Sequence, residues 1–218
     1  EEVWVRWYQY FPEGFCFANG TNGDGGGGAG AIKWMRFQYP GNSARITMEL
    51  EANAGCAAPC TNCLDKIIPH VVIGEAQGWR ERYGNQAYWL EEREFSLGEW
   101  HAVQMYMRLS PGSSDKNDGN GLIRIWVDDQ LLSEVERNTM PAAGEHLKSI
   151  WYGNYWNGGM PNDQHWYFDE IIVTSQEPNT RDAQGNAFVI GGRYLDKYSK
   201  TYLRIKKKET LAEHLKEV

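Results

Sequence analysis

Apolar and polar residues alternate in many short stretches of this chain, a pattern typical of β-strands that bury one face and expose the other. The clearest pair lies at 99–109 and 122–128, separated by a loop rich in Gly, Ser, Asp and Asn, which predicts a hairpin. Further strands are predicted at 3–11, 31–38, 43–51, 67–74, 87–95, 131–136, 148–156 and 166–174. Because helical periodicity is nearly absent, the pattern favours an all-β, two-sheet sandwich or jelly roll over residues 1–177.

The pattern changes after residue 177. Residues 178–187 are predicted to form a linker and residues 188–205 a further hairpin. Residues 206–218 are charged and helix-prone, with Leu211 and Leu215 on one side of the predicted helix. Such a short helix is not stable alone, so we expect it to dock or fray. The chain is therefore divided into a domain, 1–177, and a C-terminal extension, 178–218, through which the protein is a candidate for self-association.

In each of four predicted strands the alternation places an arginine on the face opposite the apolar residues: Arg6, Arg36, Arg108 and Arg124. A guanidinium grips carboxylates through two parallel hydrogen bonds. If the four strands are neighbours, this face predicts a groove for an acidic glycan; the alternative is that the arginines pair with Asp or Glu on adjacent strands. The aromatic and amide residues predicted to share the groove and bind substrate are Tyr8, Tyr10, Trp34, Gln38, Gln104 and Trp126.

Composition and charge narrow the class of partner. Ten Trp and twelve Tyr exceed the needs of a core of this size and suit sugar ligands, although an aromatic-rich core is the simpler alternative. A net charge of −7 argues against nucleic acid. An acidic polysaccharide is still compatible, because local arginine placement matters more than the total charge. No apolar run approaches the roughly 20 residues of a membrane span.

Three stretches, 2–15, 98–127 and 148–174, resemble the jelly-roll polysaccharide lyases of the concanavalin A-like lectin/glucanase superfamily, in particular its alginate- and glucuronan-lyase-like branches. The similarity lies in a Gly-Glu-Trp-His sequence before a strand, an Ile-Arg-Ile-Trp-Val-Asp strand and a late Tyr-Phe-Asp-Glu-Ile-Ile-Val strand. The resemblance implies a concave sheet that binds a uronate-containing chain and cleaves it by β-elimination.

The resemblance also implies catalytic roles. Tyr106 would be the acid or base, and His101 or Lys33 the base, but alternation puts Lys33 and His101 on the opposite face from the arginines. The Gln-Ile-His and Tyr-x-Lys-Ala-Gly motifs of one alginate-lyase branch are absent. The carboxylate clamps would be Arg36, Arg108 and Arg124, assisted by Gln104.

A non-catalytic function is the alternative to a lyase activity. The superfamily contains lectins, so the alternative is a carbohydrate-binding or adhesive module that assembles through its tail. The chain lacks an E-x-D-x-x-E strand of paired carboxylates, which disfavours a glycoside hydrolase.

Cysteines point to an extracellular location. Cys56, Cys60 and Cys63 share a loop, and Cys16 makes the number even. Two disulfides are expected in a secreted protein, with undetermined pairing; a metal or iron–sulfur site and free thiols are the alternatives. The chain also begins within a strand pattern, so we expect the mature form of a secreted protein.

No cofactor is required by these patterns. A structural calcium ion is compatible with the resemblance, with Asp128 and Asp169 as candidate ligands, and a loop at 115–121 has many Asn, Asp and Gly residues. Turn chemistry explains that loop equally well.

Overall fold

The computed structural model describes residues 1–15, 32–38, 45–52, 64–72, 80–82, 88–89, 96–111, 120–139, 146–156 and 163–191. Within them lie β1 (Glu2–Tyr10), β2 (Ile32–Gln38), β3 (Arg45–Ala52), β4 (Leu64–Val72), β5 (Arg80–Arg82), β6 (Tyr88–Trp89), β7 (Trp100–Arg108), β8 (Gly121–Val127), β9 (Gln130–Arg137), β10 (Ser149–Trp156) and β11 (Tyr167–Thr174). Over this part of the chain, no helix has the length and apolar character needed to cross a membrane.

The strands form two antiparallel sheets, which confirms the predicted all-β sandwich. Sheet A has the strand order β11-β1-β7-β8-β9, and sheet B has the order β10-β2-β3-β4-β5, with β6 also pairing with β4. The predicted hairpin is β7–β8, in which Met105 lies directly across from Ile125. Because paired residues lie on the same side of a sheet, these registers fix which side chains share a face.

The core lies between the two sheets. Val5, Trp7 and Met105 of sheet A are fully buried, as are Met35 and Phe37 of sheet B. The ring of Trp7 contacts the ring of Tyr152 of β10 edge-on, with centroids 5.5 Å apart. Burying each large apolar side chain contributes about 1.5–3 kcal/mol, so this interface is the main source of the fold's stability.

After β11 the chain turns back over sheet A. Residues 178–187, expected to be a linker, include a β-bridge between Arg181 and Ala187. Phe188 and Val189, which follow, are buried. The extension therefore begins as part of the packed domain. Of the predicted hairpin, 188–205, the structure describes residues 188–191. The rest of it and the terminal helix lie outside the described residues, so both stay predictions, as does self-association.

Candidate functional site

The outer face of sheet A, turned away from sheet B, carries many of the residues predicted to bind glycan. Arg6 lies directly across from Gln104, and Gln104 from Trp126, so alternation assigned these side chains to the correct common face. Tyr106 lies directly across from Arg124 in the same ladder. On β1, β7 and β8 this face includes Trp4, Arg6, Tyr8, Tyr10, Gln104, Tyr106, Arg108, Leu122, Arg124 and Trp126.

Residues 180–191, hereafter the covering segment, lie across much of this face. The indole N–H of Trp4 donates to the carbonyl oxygen of Ala187 at 3.1 Å. The backbone N–H of Val189 donates to Oε1 of Gln104 at 2.8 Å. Val189 also packs in an apolar cluster with Trp4 and Tyr106. The expected open groove is therefore closed where the segment lies, and Gln104 and Tyr106 are buried.

Asp182 anchors the covering segment. Its Oδ1 accepts the backbone N–H groups of Gln184 and Asn186, and Gly185 adopts the left-handed conformation (φ 88°) that closes the turn. Its Oδ2 accepts the indole N–H of Trp126 at 2.8 Å. Burial acts to raise the pKa of Asp182, but the hydrogen bonds from Trp126 and Asn186 outweigh it and lower the pKa. The carboxylate thus stays ionised and holds the turn on β8.

Arg6 is a buried structural cation. Its side chain is 1% exposed, and Nη1 lies 2.7 Å from Oδ1 of Asp129. Asp128 and Asp129 both have positive φ, as the two-residue hairpin loop between β8 and β9 requires. Nε and Nη2 of Arg6 have no hydrogen-bond partner among the described residues, nor has Nε2 of Gln104. Arg6 therefore cannot reach a polysaccharide while the segment is in place.

The four arginines do not form one surface, so that expectation is wrong. Arg36 belongs to β2 of sheet B, whereas Arg6, Arg108 and Arg124 belong to sheet A. Nε of Arg124 lies 2.5 Å from Oε2 of Glu134 on β9. The alternative raised from the sequence, pairing with carboxylates on neighbouring strands, accounts for Arg124, whereas Arg6 pairs with Asp129 in the loop between β8 and β9.

Tyr106 is poorly suited to proton transfer. Burial, followed by the negative charge of Glu2, raises the pKa of its phenol to about 12. The guanidinium of Arg124 lies 5.6 Å from the centre of its ring. With a buried side chain and a neutral phenol, Tyr106 packs as a core aromatic.

His101 is fixed between two acceptors. Nδ1 lies 2.7 Å from Oδ2 of Asp128, and Nε2 lies 2.9 Å from the backbone oxygen of Ser96. A carboxylate and a carbonyl oxygen only accept, so these two contacts favour the imidazolium, in which both ring nitrogens donate. Burial acts to lower the pKa of His101, but the hydrogen bond and charge of Asp128 outweigh it, so the pKa is raised. The His101 ring thus joins Asp128 to the backbone of Ser96 by hydrogen bonds, so it is not a free base.

A Ser-His-Asp sequence of contacts is present here without nucleophile geometry. Oγ of Ser96 lies 3.3 Å from Nε2 of His101, but this hydroxyl also contacts Oε2 of Glu99 at 2.9 Å. Nε2 lies closer to the Ser96 backbone oxygen, at 2.9 Å, than to this hydroxyl, so the hydroxyl has no dedicated base.

The outer face of sheet B holds a second set of polar positions. Met35 and Phe37 point into the core, so Arg36 and Gln38, which alternate with them and are partly exposed, lie on the outer side. The Arg36 guanidinium lies 5.0 Å from the ring centre of Trp151. The register continues across five strands in what we call the arginine row: Trp151, Arg36, Thr47, His70 and Arg82.

A parallel row lies two residues away: Ser149, Gln38, Arg45, Val72 and Arg80. The hydroxyl of Ser149 is 3.3 Å from Oε1 of Gln38. Arginine thus occupies two positions in each row. Sequence reasoning missed Arg45, His70, Arg80 and Arg82, although the alternation of Arg80 and Arg82 was a usable signal.

The remaining sequence candidates divide into two groups. Asp128 is engaged by His101 and by the backbone N–H of Ala102, and Asp169 by the N–H of Glu170. In the described ranges, no group of three or more His, Cys, Asp or Glu is arranged to hold a metal ion. The side chains of Trp34 and Lys33, and all of Cys16, Cys56, Cys60 and Cys63, fall outside what the structure describes, so the disulfides stay a prediction.

Two alginate lyases of known structure have a similar fold. The alginate lyase vAL-1 from Chlorella virus matches with a TM-score of 0.51 and 11% identity, over 79% of this chain and 70% of that chain. A mutant of alginate lyase Aly36B in complex with alginate trisaccharide matches with a TM-score of 0.52 and 13% identity, over 79% of this chain and 69% of that one.

No family profile matches the sequence, and no curated protein does so. At such low identity the structural likeness concerns the fold. The chain therefore has an all-β sandwich fold similar to that of alginate lyases.

Proposed function

We propose that this protein binds an acidic, uronate-containing polysaccharide on the outer face of sheet B and cleaves it by β-elimination. The observation that carries the proposal is the arginine row, which places Arg36, His70 and Arg82 in one continuous register. The fold adds support, because similar solved structures are alginate lyases, one of them in complex with alginate trisaccharide.

The two rows suit an extended anionic chain. Five adjacent strands span about 19 Å at the usual strand spacing, enough for several sugar residues. Guanidinium groups bind carboxylates with charge and geometry together. Trp151, held beside Arg36, supplies an aromatic surface at one end. Sheet A offers no comparable surface where the covering segment buries Arg6 and Gln104.

The reaction follows from the substrate's chemistry. An arginine that pairs with the uronate carboxylate stabilises the negative charge that develops when the C5 proton leaves. The electron pair forms the C4–C5 double bond while the C4–O4 bond breaks, and the departing oxygen takes up a proton. Histidine titrates near neutral pH, so His70 is assigned as the base that removes the C5 proton and returns it to the leaving oxygen.

The test is an ultraviolet assay for unsaturated uronate with alginate and glucuronan, with calcium and after chelation. The wild type is expected to form product, His70→Ala to lose nearly all of it, and His146→Ala, at an exposed histidine that belongs to neither row, to keep it. Lack of product from the wild type with every uronate polymer contradicts the cleavage step. Full activity of His70→Ala contradicts the assigned base. Retention of alginate without turnover would instead indicate a binding module.

A further inference from the structure

An exposed row of aromatic rings lies at one end of the outer face of sheet A. Trp100 is 38% exposed and Tyr167 is 48% exposed. Between them lies Tyr10, whose ring centroid is 5.4 Å from that of Trp100 and 6.0 Å from that of Tyr167. Tyr10, Trp100 and Tyr167 are hereafter the aromatic row.

The row is held by regular strand pairing. Tyr10 lies directly across from Trp100 on β7 and from Tyr167 on β11. Nε2 of Gln9 donates to the backbone oxygen of Tyr167 at 3.0 Å, which ties β11 to β1 at this point. His165 packs edge-on against Tyr167, with centroids 5.3 Å apart. The rings are therefore presented on three adjacent strands, and little ordering entropy remains to be lost on binding.

Exposure sets this row apart from the aromatics under the covering segment. Trp4, Tyr106 and Trp126 share a buried apolar cluster and pack against the protein itself. Trp100 and Tyr167 keep much of their surface in water, and with Tyr10 between them the rings are contiguous, as in exposed apolar patches that mark interaction sites.

We propose that the aromatic row is a second carbohydrate-binding site, and that its ligand is an uncharged polysaccharide. Aromatic faces stack on the apolar faces of pyranose rings, while the tyrosine hydroxyls can bond to sugar hydroxyls. The nearest positions on the same side are Tyr8, Ala102, Asp169 and His165, which include one carboxylate and neither Lys nor Arg. A uronate would meet the negative charge of Asp169 there, whereas a neutral sugar would find an acceptor for its hydroxyls.

The site is independent of the proposed reaction. It lies on sheet A, whereas the arginine row lies on sheet B, so the two can hold different polymers. Such a site would keep the protein on a neutral matrix polymer while the other face acts on an acidic one. Experiment can therefore contradict the proposed second site without contradicting the proposed reaction, and the reverse also holds.

The experiment is electrophoresis of the whole chain in gels that contain hydroxyethyl cellulose, galactomannan or alginate. The wild type is expected to be retarded by a neutral polymer. Trp100→Ala and Tyr167→Ala are each expected to weaken that binding by about three- to tenfold and to leave behaviour in alginate unchanged. The matched control is Phe168→Ala, because Phe168 is 43% exposed on the same strand but packs towards Tyr152 on the other face.

Thermal melting verifies that each variant folds, and the exposure of both rings makes a folded variant the expected result. Absence of retardation of the wild type in both neutral polymers overturns the proposal, as does unchanged binding in both variants. Sedimentation supplies a further check. A concentration-dependent dimer that Tyr167→Ala abolishes would identify the row as a contact between copies of the chain, and would also overturn it.

Discussion

Trp126 donates its indole N–H to the carboxylate of Asp182, which follows it by 56 residues, at 2.8 Å. This bond joins β8 to the covering segment and explains why a tryptophan on the outer side of sheet A is fully buried. A substitution of Asp182 removes this bond and therefore tests whether it holds the covering segment on sheet A.

Asp182→Ala should loosen the covering segment. The change leaves the Trp126 indole and the turn amides of Gln184 and Asn186 without their acceptor, so the free energy of unfolding should fall by about 1–3 kcal/mol. Urea denaturation measures that loss, and hydrogen exchange at the Val189 amide should become faster. Glu177→Ala, which removes the exposed partner of Arg181, is the control and should have little effect. Equal stability of the two variants would contradict the anchoring role.

His101 should make stability depend on pH. Its folded pKa is raised above 6.5, so its contribution is fully present below the unfolded pKa and is lost as the pH rises through the folded value. Urea denaturation at a series of pH values should show this loss for the wild type. His101→Gln should remove that component, whereas His146→Gln, at an exposed site, should keep it. If the free energy of unfolding of His101→Gln varied with pH as that of the wild type does, His101 would not have this stabilising role.

Arg6→Met should be strongly destabilising, because it leaves the Asp129 carboxylate, 18% exposed, without its cation. Breaking a buried ion pair from one side costs about 3–5 kcal/mol. The double variant Arg6→Met with Asp129→Asn should recover part of the loss, since it removes both charges and Asn accepts positive φ. Urea denaturation of the two variants provides the comparison. Greater stability of the single variant than of the double would speak against a buried pair.

Arg36→Ala should impair polysaccharide cleavage where Arg124→Ala does not. In the proposed function the substrate binds on sheet B, where Arg36 faces it, while Arg124 contacts Glu134 on sheet A. Loss of one group that stabilises developing charge costs on the order of a hundredfold in rate. The ultraviolet assay measures both variants. Equal rates for the two would remove Arg36 from the site.

Much of the fold followed from local patterns. The β7–β8 hairpin was predicted because Val103, Met105 and Met107 alternate with polar residues, and alternation depends only on the geometry of one strand. The same rule placed Arg6, Gln104 and Trp126 on a common side. Of the aromatic row, only Tyr10 was named from the sequence as a binding residue. The exposure of Trp100 and Tyr167 was not predictable, because it depends on what covers each strand end.

The sequence by itself therefore determined most of the strands, their two faces and the all-β class, since these depend on neighbours one or two residues apart. The three-residue β5, Arg80–Arg82, was not among the predicted strands. Only the tertiary structure decided that Arg36 lies in a different sheet from Arg6, because strand order depends on pairing between distant segments. It also decided that the outer face of sheet A is covered. The bond from Trp4 to Ala187 spans 183 residues, and no local periodicity encodes a contact at that separation.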